Sequence, residues 1–194
     1  MRQVFVILLL LTLGFGTVAA QAPRTVTDYF MLFPGERFST DNEGNSITSK
    51  AKLSAFRRSM IKIEDVKNGY LRVEGAWEGW DEFAIFKRKD GTALIAHTSV
   101  GCGPACSGSI AFYEHRNGKF VDVTTSVMEV PTDDLIAKVM KRKKLGDVDG
   151  NVNWYYALPR IGTDVKVLCS ICDANDDDAG LLVYGWNGTT FAVK

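Results

Sequence analysis

The chain has 194 residues, and its 23 basic and 23 acidic side chains leave it with no formal net charge. A surface so nearly neutral supplies no electrostatic drive towards nucleic acid, and that class of partner is set aside. The length suits one domain with a real core, and the four cysteines are an even set.

Arg2, an apolar run from Val4 to Leu13 and the small residues Val18 and Ala20 have the make-up of a secretory signal peptide cleaved after Ala20. The apolar run falls short of the ~20 residues that a membrane-spanning helix needs, and no later run is long enough. The expected product is one exported β-rich domain, residues 21–194, secreted or periplasmic and with no transmembrane segment.

A first helix is expected over residues 27–33, with Thr27 as its cap and Pro34 as its stop. A polar loop follows, and Leu53, Phe56 and Met60 then recur at spacings of three and four, which predicts a second helix over 49–60. Arg57 and Arg58 are read as its solvated face. Ile61 to Val73 reads as a hairpin turning at Asn68-Gly69, because glycine supplies the positive φ that a tight turn needs.

Gly75-Ala76-Trp77-Glu78-Gly79-Trp80-Asp81 comes next. Two tryptophans in such a loop can cover the core or a sheet edge, or can offer an aromatic surface to a ligand. Trp77, Trp80 and Asp81 are therefore the candidate ligand-binding residues. Two more hairpins turn at Lys89-Asp90-Gly91 and Arg116-Asn117-Gly118, and residues 83–125 become the middle of a meander.

Thr132, Asp133 and Asp134 open a helix over 132–145 whose lysine-rich end suits the dipole and whose stop is Gly146. Leu135 and Val139 are expected on its packed stripe, with Ile136 and Met140 as further candidates for it. Strand candidates follow at 153–158, 164–168 and 181–185, and a last hairpin turns at Asn187-Gly188. The fold class is α+β, mainly an antiparallel meander of about 8–10 strands curled into a sheet or half-barrel, with two or three short helices.

Cys102-Gly103-Pro104-Ala105-Cys106 resembles the CGPC motif of thioredoxin-like oxidoreductases, from which it departs by the inserted Ala105. The resemblance implies thiol-disulfide exchange by Cys102 and Cys106. That chemistry needs a helix end to lower the attacking thiol's pKa, and here strands flank the motif. A zinc site of Cys102, Cys106, Cys169 and Cys172 is a further alternative. Structural disulfides lead in an oxidising compartment, with three pairings open. In the chain-entropy model a bridge across the two motifs is worth ~4 kcal/mol and one within a motif ~2 kcal/mol, which favours cross-pairing. A local Cys102–Cys106 bond stays open, because Gly103-Pro104 supplies the turn.

Asp147, Asp149, Asp176 and Asp178 are weak calcium candidates in two acidic loops, and solvated turns explain them as well. His97 and His115 stand in no catalytic motif. The leading expectation is a binding or envelope-associated module without catalysis or cofactor, whose partner is a protein or glycan of the cell envelope.

Overall fold

The computed structural model describes residues 23–41, 43–145, 153–170, 172 and 180–194. The signal segment, Gly146 and the four calcium candidates Asp147, Asp149, Asp176 and Asp178 lie outside the described residues.

Among the described residues, ten strands make two antiparallel sheets, accompanied by four short helices. The first sheet is a meander of β1 (Ile61–Asp65), β2 (Tyr70–Val73), β3 (Gly79–Lys87), β4 (Ala93–Cys102), β5 (Cys106–Arg116) and β6 (Lys119–Asp122). The second contains β7 (Trp154–Ala157), β8 (Asp164–Cys169), β9 (Gly180–Trp186) and β10 (Phe191–Val193), again in chain order. This corrects the curled half-barrel, since neither sheet closes. After β6 the chain leaves through the helices α3 (Thr124–Val127) and α4 (Asp133–Lys143), so β7 starts a new sheet rather than extending the old one.

The expected turns do form the hairpins. Asn117 and Gly118 both take positive φ, 51° and 75°, which the right-handed twist of the flanking strands favours. The long hairpin of β3 and β4 sets Phe83 opposite His97 and Asp81 opposite Ser99. Strand periodicity then divides β3: Asp81 and Phe83 point to one face, Glu82, Ala84 and Phe86 to the other.

Both faces are covered. On one, α1 (Val26–Leu32), a 3-10 turn at Glu36–Phe38 and α2 (Lys50–Met60) bury Phe30, Phe33, Phe38, Met60, Leu71 and Phe83 against the sheet. On the other, the second sheet and α4 share a core with Phe86, Phe112, Ile136, Tyr156 and Phe191. Burial of apolar area on both sides is the main stabilising term.

Three helix expectations change in detail. Thr25, not Thr27, caps α1, in a capping box with Asp28, while Thr27 donates its hydroxyl to Glu64. Leu135 is 40% exposed, and α4 packs through Ile136, Val139 and Met140 instead. Arg57 is buried rather than solvated. It donates to the carbonyls of Phe30, Met31 and Phe38 at 2.8–3.0 Å and so ties α2 to α1 and to the 3-10 turn.

Glu82 carries polarity into the space between the sheets. It accepts from the Tyr70 hydroxyl at 2.9 Å and from the Leu158 amide at 2.7 Å, and burial raises its pKa above the ordinary 4.5. The fold therefore favours the protonated form, and this contribution, complete below the ordinary carboxylate range, is lost as pH climbs through the raised value. Glu82→Gln stays neutral at every pH, so its stability relative to the native chain should improve from acid to neutral pH in urea unfolding. A difference independent of pH would count against this assignment.

Candidate functional site

A cavity of about 1000 Å³ opens where the 3-10 turn, the end of α2 and the loop 74–77 stand over the first sheet. Its walls include Phe38, Phe56, Met60 and Trp77, and His97 and Ser99 reach it from β4. Gly75 permits the wall to form: a Cβ there would lie 1.9 Å from the Trp77 ring, so only glycine lets the indole fold over the backbone.

Behind the cavity sits Asp81, with no exposure to solvent. A buried carboxylate needs compensation, and here it has two partners. Nε2 of His97 lies 2.8 Å from Oδ1, and Nη1 of Arg37 lies 3.1 Å from Oδ2 and also donates to Ser99 Oγ at 2.8 Å. A carboxylate only accepts, so Nε2 carries the hydrogen. The ring of His97 is held by stacking on Phe83, with centroids 4.6 Å apart, and by Phe33 at 4.8 Å.

Arg37 spans the two sides of the site. Its guanidinium stands 5.4 Å from the centroid of the Trp77 ring, within range of a cation–π contact. Only Nη1 has partners among the described residues, and the side chain is 45% exposed. Chemically the arrangement offers an aromatic wall, an oriented imidazole and a guanidinium with an open edge.

The three expected ligand residues part company. Trp77 lines the cavity, whereas Asp81 lies beneath it as a structural anchor. Trp80 points to the opposite face, packs edge-on against Tyr155 at 5.6 Å and lies under the guanidinium of Arg72 at 4.4 Å. Trp77 and Trp80 therefore do not share one surface. Arg37, His97 and Ser99 were missed by the sequence reading. The register of the β3–β4 hairpin would have placed His97 and Ser99 beside Asp81, but nothing in the sequence joins Arg37 to them.

The cysteines correct the expected cross-pairing. Cys102 bonds Cys106 and Cys169 bonds Cys172, and no free cysteine is found. Cys102 and Cys106 face each other across the β4–β5 hairpin with Cα atoms 4.0 Å apart, so strand register decides the partner ahead of loop entropy. All four sulfurs are used in bonds, which excludes the four-cysteine zinc arrangement in this state. The CGPAC segment is a hairpin turn, unlike the helix start on which the redox motif depends. What fastens this turn to the second sheet is a hydrogen bond, from the Cys106 amide to Ser170 Oγ.

Among the described residues there is no group of three or more His, Cys, Asp or Glu placed to hold a metal ion. No helix among them is long and apolar enough to cross a membrane.

No protein-family model matches the chain, and no curated protein matches it. Among solved structures, the chain is similar to a domain of an uncharacterized protein from Porphyromonas gingivalis W83, at 12% identity and a TM-score of 0.49, over 82% of this chain and 96% of that one.

Asp81→Ala would leave Arg37 and His97 without their shared acceptor. Because Arg37 is 45% exposed and can return to water, the cost should be about 2 kcal/mol, below that of breaking a fully buried pair. Urea unfolding measures it, and an unchanged midpoint would deny Asp81 its anchoring role.

Proposed function

We propose that this chain is an exported binding module, one domain after signal cleavage, that takes its ligand in the cavity between the 3-10 turn and the first sheet. The observation that carries the reading is the cavity itself, about 1000 Å³, walled by Trp77, Phe38, Phe56 and Met60 and backed by an anchored polar pair. Binding sites commonly combine apolar walls with a few placed polar groups in this way. Two disulfides suit an oxidising compartment, and the amino-terminal segment has the composition of a signal peptide.

Binding is favoured over catalysis by the chemistry at hand. His97 gives its Nε2 to Asp81, Ser59 donates to the Phe56 carbonyl and Ser99 accepts from Arg37. No nucleophile is paired to a base among these groups. The partner is then a component of the cell envelope or its surroundings, presented to the cavity mouth.

A thermal-shift screen of glycans, peptides and small organic acids against residues 21–194 tests the reading. Ligands that raise the melting temperature should lose the effect in Trp77→Ala and keep it in Trp80→Ala, since only Trp77 lines the cavity. Equal responses of the two variants would place the ligand elsewhere. Expressed with its own leader, the chain should appear in the exported fraction with Gln21 as its first residue.

A further inference from the structure

The polar groups around the cavity differ in how far they are already occupied. Of the acids that line it, Glu74 is paired with Arg72, its Oε1 3.0 Å from Nη2, and Asp41 accepts from the amides of its own loop at Glu43 and Asn45. Glu36, exposed at the lip, is the one acid of the lining with no such partner among the described residues.

The donors are less occupied. Arg37 hydrogen-bonds through Nη1 alone among the described residues, to Asp81 and Ser99, and its side chain is 45% exposed. Lys62 is exposed on the lining and enters no ion pair among the described residues. Trp77 has its Nε1 buried with no acceptor, a deficit that costs free energy until something supplies one. A cationic ligand would meet the opposite situation. The face of Trp77 is already taken by Arg37, and the buried carboxylate is already shared by two partners.

On the reading of the cavity as a ligand site, we infer that its ligand is an organic anion, an apolar body bearing a planar carboxylate. The open Nε–Nη2 edge of Arg37 matches a carboxylate in two parallel hydrogen bonds, which a point charge does not do. Lys62 adds charge at the rim. Phe38, Phe56 and Met60 take the apolar body, and the room available suits a compact ring system. Asp81 does not oppose this chemistry, because it lies behind Arg37 and holds the guanidinium by its other nitrogen.

Calorimetric titration of residues 21–194 with 2-naphthoate and with methyl 2-naphthoate decides the matter, since the two share a body and differ in the head. The acid should bind at one site and about tenfold more tightly than the ester, ~1.4 kcal/mol. Arg37→Lys keeps a cation for Asp81 but removes the planar open edge, and it should erase most of that preference while ester affinity holds. Lys62→Met, an exposed change without structural partners, should lower the preference in part. Equal binding of acid and ester, or a preference untouched in both variants, overturns the anionic head while leaving the cavity as a site. Failure of both compounds to bind overturns the inference together with the cavity reading. Thermal melts of each variant establish that it is folded.

Discussion

The first sheet is covered on both faces, and this constraint governs the rest of the molecule. Where β3 has both sides covered, its buried carboxyl groups must find partners inside. Neighbours Asp81 and Glu82 show the two solutions. Asp81 turns to the helical side and is answered by a guanidinium and an imidazole N–H, whereas Glu82 turns to the second sheet and is answered by a hydroxyl and an amide. Burial pushes Glu82 towards its neutral form.

These two residues also tie the layers together. Arg37 belongs to the 3-10 turn, and its hold on Asp81 attaches that turn to β3 and β4 through a directional contact. Arg57 acts within the helical layer, tying α2 to carbonyls of α1 and of the turn. Apolar packing supplies most of the free energy, and these contacts decide the seating of the helical layer. The cavity lies at the seam between that layer and the sheet, where Phe38, Phe56 and Trp77 line it.

What could be read in the sequence was mostly local. Turn pairs such as Asn117-Gly118 and Asn187-Gly188 carry their conformation in two residues, and the hairpins they imply are present. The cap Thr132 was legible for the same reason. Whether the later strands joined the first sheet depended on the path taken through α3 and α4, which no short window encodes. Arg57 misled because a guanidinium on a helix with a polar face is usually solvated, and three carbonyls brought from residues 30, 31 and 38 reversed that. Of the site, Trp77 and Asp81 were found by composition, although in roles that only the strand direction could separate. Arg37 belongs to it through tertiary packing alone.

The local disulfides have a consequence for how the chain matures. Each cysteine's partner is among its nearest neighbours in sequence, four positions away in one pair and three in the other. Short separations close fast, so a thiol that meets oxidant while the chain is still extended already has its final partner at the highest local concentration. Correct bonding does not have to wait for the sheets to meet, and it can follow the order in which the segments emerge. Slow reshuffling of wrong pairs, which long-range bridges invite, is largely avoided. The two sheets are in turn free to dock by packing and hydrogen bonds, with no covalent link to commit them early.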